Sequence, residues 1–400
     1  MVLESFSESI IEKEARYFLG TYQRMPAVFV RGEGTYLFDP EGNAYLDLLS
    51  GISVNLLGYG YGPLKEAIHA EVERVMHTSN LFYNVPQVEL AEKLIHYSGF
   101  SKVFFVNSGA EANEVALKMA RFYGKRKHGS RYAYVAFRRS FHGRTLLTLG
   151  VTGQEKFHRD LDPFPPGIFF GDLNDIESVR RVLSEEVCAI IVEPVQGEGG
   201  IYPCTLEFLA ELRKICDERD ILLIFDEVQC GMGRIGTLFA FEYFGVRPDI
   251  VTLAKGLGGG LPIGAVLVNE KIVEITHRGD HGSTFGGNPV AARSACVVVD
   301  TVSQEEFLRA VRKKGELLKE RLESIRLSFP EKVREVRGLG LMWGLEVPKR
   351  AKEVAERMFM RKVLVNACNE DTVRFLPPLV VSEADLHRGM DILQEVLAGL

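Results

Sequence analysis

Short apolar runs, each closed by a turn signal, recur through the first two thirds of the chain. They fall at 103–106, 132–137, 188–192, 221–225, 250–254 and 265–268. Continuous runs of this length read as strands buried on both faces. Between them, apolar residues recur at helical spacing, as in Val115, Leu117 to Met119 and Phe122. Strand–helix alternation from about residue 63 onward predicts a mostly parallel sheet with helices on both faces. Residues 35–48 differ: Tyr36-Leu-Phe38, the turn Asp39-Pro40-Glu41-Gly42-Asn43 and Ala44-Tyr-Leu46 predict a hairpin. After Pro289 a long charged helix (304–328) precedes short strands near 341–345 and 373–375, and a last helix starts near Ser382. That texture predicts a smaller α+β domain.

Composition narrows the class. Four hundred residues with 46% hydrophobic content suffice for a large core and two domains. A net charge of −6 gives no reason to expect nucleic acid. The basic run Lys125-Arg126-Lys127 to Arg131, with Arg138-Arg139, is expected to follow a helix and surround a strand as solvated surface. The six cysteines form no C-x-x-C and no framework, as expected of free thiols in a reducing cytosol. Met1 to Gly20 carries Glu4, Glu8, Glu12 and Glu14 and no apolar core, so no secretory signal is expected. The uncharged stretch 256–269 is too short to span a bilayer. A cytoplasmic protein without a membrane segment follows as the expectation. His277 and His281 are four apart, but Arg278-Gly279-Asp280 between them argues against a helix, and no metal site is expected.

Two runs end in chemistry. Asp226 closes 221–225, and Lys255 follows 250–254 just before Gly256-Leu-Gly-Gly-Gly260. Both then sit at carboxyl ends of strands, where open α/β sheets place ligands. A buried acid and a buried lysine there fit a pyridoxal-phosphate site, the lysine bonding the cofactor's aldehyde and the acid holding its ring nitrogen protonated. An ordinary buried ion pair would leave the same trace. The run 103–106 leads into Asn107-Ser-Gly-Ala-Glu-Ala-Asn-Glu114, a tight turn and helix start whose free N–H groups suit a phosphate. Glu111 and Glu114 read as first-turn residues favoured by the helix dipole. A nucleotide-binding G-x-G-x-x-G is absent, since Gly256-Leu-Gly258 is followed by Gly259-Gly260-Leu261.

Further motifs occur in order along the chain: Ser140-Phe-His-Gly-Arg144, Glu193-Pro-Val-Gln-Gly-Glu-Gly-Gly200, Asp226-Glu-Val-Gln229, Ala254-Lys-Gly256, His281-Gly-Ser-Thr-Phe-Gly-Gly-Asn-Pro289 and Val373-Arg-Phe-Leu-Pro-Pro378. Together with Asn107–Glu114 they resemble the class III (ω-amino) pyridoxal-phosphate aminotransferases, of fold type I. Leu48-Leu-Ser-Gly-Ile-Ser-Val-Asn55, Ser79-Asn-Leu-Phe-Tyr83 and Gln87-Val-Glu-Leu-Ala-Glu-Lys93 look most like the acetylornithine branch. Two segments depart from it. Gly58-Tyr59-Gly60-Tyr61-Gly62-Pro63 stands where the branch has Gly-His-x-His-Pro, and Arg138-Arg139 precedes Ser140.

The resemblance implies a division into an N-terminal segment (1–56) joining the small domain, a large cofactor domain (57–291) and a small domain (292–400). It implies pyridoxal 5'-phosphate, with Lys255 as nucleophile and base, Asp226 on the ring nitrogen and Gln229 on the phenolic oxygen. Val228 and Phe141 would sandwich the ring. Ser108, Gly109 and Ala110 would hold the phosphate, joined by Thr284 from the other subunit of a homodimer with shared sites. Arg144 would clamp the α-carboxylate of N2-acetylornithine, and Arg374 that of 2-oxoglutarate or glutamate. Glu198 would pair with Arg374 for the ω-amine and swing away for glutamate, while Ser283 and Tyr83 would help shape the substrate pocket. The implied reaction is a step of arginine biosynthesis. Ornithine δ-, 4-aminobutyrate and succinyl-diaminopimelate or carrier-linked lysine-precursor aminotransferases share the chemistry, and the pocket around 81–83 and Arg144 separates them. A non-catalytic binding protein on this scaffold would have no need to keep Lys255, Asp226 and Arg374 together.

Overall fold

The computed structural model describes residues 6–400; Met1–Ser5, and with them Glu4 of the acidic N-terminal stretch, lie outside the described residues. Its centre is a seven-stranded sheet in the order Lys102–Val106, Gly264–Val268, Ile250–Leu253, Leu222–Asp226, Val187–Val192, Ala133–Phe137, Ile168–Gly171. Gly264–Val268 runs antiparallel to both neighbours, and the remaining pairs are parallel. Ile168–Gly171 was not among the predicted strands. It is an edge strand with three of its four residues half-buried, so its apolar run is short and lies close behind Pro163, Pro165 and Pro166.

The continuous apolar runs are buried on both faces because helices cover both. Val135, Ile190, Leu223 and Phe225 point into one core with Phe208, Leu212 and Ala295. Their neighbours Tyr134, Ala189, Ile191, Leu222 and Ile224 point into the other, against Ala112, Val115 and Met119 of the helix Gly109–His128. The period of two along each strand produces this division. Lys125 to His128 form the last turn of that helix rather than following it, where their charge opposes the negative end of the helix dipole.

The C-terminal part holds a second sheet in which Met342–Glu346 pairs antiparallel with Thr372–Phe375, the strand that carries Arg374. The helices Glu305–Ser328, Ala351–Met360 and Glu383–Ala398 accompany it. The predicted hairpin is present as Tyr36–Phe38 and Ala44–Asp47, and Val363–Leu364 adds to it in parallel. The N-terminal hairpin is thereby tied to the C-terminal part by backbone hydrogen bonds. Among the described residues no helix is long and apolar enough to cross a membrane.

Candidate active site

Asp226 is the last residue of its strand, paired in register with Thr252 of the parallel neighbour Ile250–Leu253, and Lys255 follows two residues beyond that neighbour. The two strand ends open on a cavity of about 450 Å³. Ser108, Gly109, Ala110, Phe141, Arg144, Asp226, Val228, Gln229 and Lys255 all line it. Local chemistry explains the shape. A Cβ at Gly109 would lie 2.7 Å from Val228 Cγ1, so glycine lets the helix start approach the strand end. Ser108 caps that helix by accepting from the Glu111 N–H at 3.2 Å, and the other first-turn N–H groups have no partner within the helix. Lys255 has φ +44°, a left-handed conformation costly for a side-chain-bearing residue, and opens a single tight turn, Lys255–Gly258.

Asp226 is a buried carboxylate held by three donors: Asn113 Nδ2 at 2.7 Å, His142 Nδ1 at 2.8 Å and the Val228 N–H at 3.0 Å. Asn113 is itself fixed by Thr252 Oγ1, which donates to its Oδ1 at 2.8 Å. Sequence reasoning missed Asn113 and His142, although both lie inside motifs that it singled out. It missed Glu193 as well, which heads a third motif. The buried Glu193 carboxyl accepts from the Phe141 N–H at 3.0 Å and the Gly197 N–H at 3.2 Å. Burial raises its pKa to about 7, with His142 opposing.

Burial pushes the Lys255 amine below the ordinary lysine range, with Glu198 partly opposing and Arg374 reinforcing the shift. A neutral amine is the nucleophilic form. Burial alone would raise Glu198, but Arg374, with Lys255 behind it, brings its pKa down to about 2. Arg374 is fully buried and donates to Glu198 Oε1 at 2.5 Å, to Gln229 Oε1 at 3.0 Å and to Asn366 Oδ1 at 3.1 Å. Gln229 closes the triangle by donating to Glu198 at 3.2 Å, so its amide is engaged by this pair. Arg374 Nη2 is buried without a hydrogen-bond partner. Arg144 is exposed at the cavity edge, its guanidinium 4.0 Å from the Phe157 ring centre and 5.7 Å from that of Phe141.

Five expected residues are not among those lining this cavity: Glu198 and Arg374, which reach it only through their contacts with Gln229, and Tyr83, Ser283 and Thr284. Tyr83 is 97% exposed. Ser283 accepts from the Gly286 N–H at 3.0 Å and from Asn107 Nδ2 at 3.4 Å. Thr284 is exposed beside a shallow groove formed with residues 77–80.

The donor set fits pyridoxal phosphate. A neutral amine can bond an aldehyde, and a triply held carboxylate can face a ring nitrogen. A helix N-terminus can take the phosphate, and Phe141 and Val228 can flank a flat ring. Comparison with known proteins agrees. The family described as Aminotransferase class-III matches residues 18–397. Acetylornithine aminotransferase of Caldanaerobacter subterraneus subsp. tengcongensis is 46% identical over 97% of this chain and 99% of its own length. A succinylornithine transaminase of Salmonella paratyphi B is 43% identical over 94% of this chain and 93% of its own length. Among solved structures, ornithine aminotransferase of Toxoplasma gondii superposes with a TM-score of 0.94 at 28% identity, covering 99% of this chain and 96% of that one. The protein described here is a pyridoxal-phosphate-dependent enzyme that belongs to the class III aminotransferases.

Proposed function

We propose that the enzyme transfers the δ-amino group of N2-acetyl-L-ornithine to 2-oxoglutarate, giving N-acetyl-L-glutamate 5-semialdehyde and L-glutamate, a step of arginine biosynthesis. The carrying observation is the closed Glu198–Arg374 pair beside Lys255, with Arg144 at the cavity edge. An ω-amine reaches the lysine without an α-carboxylate nearby, so a bare Arg374 would be a buried, unpaired cation. Glu198 neutralises it. When 2-oxoglutarate enters, its α-carboxylate competes for the same guanidinium, whose unpartnered Nη2 offers a second donor for a bidentate grip. Gly200, at φ +124°, and Gly199, where a Cβ would lie 2.4 Å from the Arg139 carbonyl oxygen, leave little room for side chains behind Glu198.

The bound cofactor supplies an electrophilic carbon and an electron-withdrawing ring. Lys255, its pKa lowered by burial, would carry a proton to and from the substrate carbon. Asp226, its carboxyl held by Asn113, His142 and the Val228 N–H, would face the ring nitrogen; at about 4 Å and an effective dielectric near 20 an opposite-charge pair gains roughly 4 kcal/mol. Phe141 and Val228, both lining the cavity, would flank the ring and keep water off its faces. Arg144 binds the distal carboxylate of the acylated donor, where a planar guanidinium orients better than an ammonium.

The relatives' names support an N-acylated ornithine as donor, while the Toxoplasma structure keeps free ornithine as the second reading. In the same reading the chain acts as a cytoplasmic homodimer, divided at 1–56, 57–291 and 292–400. Exposed apolar side chains at Phe6, Ile10, Ile11, Leu81 and Phe82 support a partner surface, and Tyr83, Ser283 and Thr284 would complete the site of the other subunit from there. The test is a panel of acetylornithine, succinylornithine, ornithine, 4-aminobutyrate and succinyl-diaminopimelate with 2-oxoglutarate. Glutamate formation with acetylornithine should exceed the rest, and faster turnover of free ornithine would replace this reading with the second.

A further inference from the structure

Four consecutive residues at the cavity's edge are left-handed: Ser50 (φ +48°), Gly51 (+62°), Ile52 (+64°) and Ser53 (+63°). A β-branched isoleucine there is a strained choice, and strain of this kind persists only where surrounding contacts over-determine it. The contacts are on hand. Asp47 Oδ1 accepts from the Leu49 N–H at 2.8 Å and the Ser50 N–H at 2.9 Å, fixing the entrance to the turn. Tyr59, one of the departures from the family pattern, donates its hydroxyl to the other Asp47 oxygen at 2.7 Å.

From the far side the fully buried Arg234 donates to Ser53 Oγ at 3.0 Å and Ser50 Oγ at 3.3 Å. It also donates to the carbonyls of Leu341 at 3.0 Å and Pro377 at 2.6 Å, joining the turn to the C-terminal part of the chain. The turn then delivers a contact of its own: Ser53 Oγ donates to the Gln229 carbonyl at 3.1 Å. Val54, the next residue, lines the cavity. Gln229 is the residue whose amide bridges Glu198 and Arg374.

We propose that Ser53, Tyr59 and Arg234 are positioning residues that hold Gln229 against the closed Glu198–Arg374 pair and thereby favour the ω-amine half-reaction. The proposal rests on the function proposed above. None of the three lines the cavity. Loosening the turn frees Gln229 to move, the bridge across the pair weakens, and Arg374 becomes easier for an α-carboxylate to capture. Because the turn acts through one bridge, its loss shifts a balance between two half-reactions rather than removing either.

The test compares Ser53→Ala and Tyr59→Phe holoenzymes with wild type. Single-turnover bleaching is followed separately with acetylornithine and with glutamate. The expected result is roughly a threefold to tenfold loss of kcat/KM with acetylornithine, the size of one net hydrogen bond, with glutamate changed by less than about twofold. A purely structural turn would lower both halves together, and that outcome, or no change in either, overturns the proposal. Binding of glutarate supplies a readout independent of the amine donor. It needs Arg374 freed, so both variants should bind it at least about threefold tighter than wild type. If wild type turned over no ω-amine, the functional reading would fail, and glutarate affinity would still decide the role of the turn. Tyr59→Phe is nearly isosteric, so it carries the test should Ser53→Ala fold poorly.

Discussion

Replacing Glu198 by alanine isolates the element on which the functional reading depends most. In the wild-type site Arg374 is fully buried, and its charged partner is Glu198, with Gln229 and Asn366 as neutral acceptors. Removing the carboxylate leaves a desolvated guanidinium with neutral company while an ω-amine is bound. A charge-assisted hydrogen bond is worth roughly 1.5–3 kcal/mol, or about ten- to a hundredfold in rate. That loss should fall on the acetylornithine half-reaction. Glutamate brings its own α-carboxylate to Arg374 and no longer has to displace a competitor, so its half-reaction should hold or improve. Glu198→Gln, which keeps an acceptor without the charge, should lie between. The pair also has a pH signature. Glu198 has its pKa lowered to about 2 from an ordinary value near 4.3, so its contribution to stability is fully present above that ordinary value and fades as pH falls toward 2. The alanine variant should therefore lose part of the wild-type dependence of stability on pH below about 4. Stopped-flow single-turnover measurements of each half, with acid titration of thermal stability, provide the assay. Equal losses in both halves would refute the switch and leave Glu198 a structural loop acid.

The remaining expectations concern the rest of the site. Lys255→Ala should abolish activity and the covalently attached yellow chromophore of the purified enzyme; turnover at the wild-type rate would remove Lys255 from its role. Asp226→Asn should keep the fold, since amide–amide contacts can replace some of its hydrogen bonds, and cost several orders of magnitude in rate. A rate within about tenfold of wild type would mean that another group holds the ring proton. Arg144→Ala should raise KM for acetylornithine and spare 2-oxoglutarate, and Arg374→Ala should do the reverse, as steady-state kinetics with each substrate varied will report. Sedimentation and activity at nanomolar concentration test the shared-site dimer, and a fully active monomer would exclude it.

Most of the sheet was legible because strands buried on both faces are written as unbroken apolar runs; Val187–Val192 and Leu222–Asp226 are buried at every position. The antiparallel direction of Gly264–Val268 was not legible, since a buried run carries no mark of its direction. Asp226 and Lys255 stood out because a charge at the end of an apolar strand is costly to bury. Asn113 and His142 did not, because their importance lies in pointing at Asp226 from other elements, 113 and 84 residues away along the chain. The left-handed turn was hidden for a different reason. Ser50-Gly-Ile-Ser53 contains one glycine, and nothing local in an isoleucine announces a positive φ; contacts from Arg234 and Asp47 impose it. The departure at Tyr59 acquires its meaning only when its hydroxyl is seen on Asp47.

The placement of Glu198 and Arg374 bears on Lys255 as well as on substrate choice. Lys255 must stay neutral to act as nucleophile, and both members of the pair influence it: Glu198 favours its charged form and Arg374 opposes it. While the pair is closed these two effects oppose one another, and burial, the largest influence, lowers the amine's pKa. A lone unit charge at roughly 5 Å, in an effective dielectric near 20, would act with about 3 kcal/mol, over a hundredfold in the ratio of neutral to charged amine. If Glu198 swung away with nothing replacing it, Arg374 alone would act on the lysine and disfavour its charged form. In the proposed cycle the incoming α-carboxylate takes the place that Glu198 leaves, so the arginine is matched by one negative charge in both half-reactions. The exchange of one carboxylate for another then changes which substrate is accepted while leaving the field at Lys255 nearly constant, and a single lysine can serve both halves at one pH.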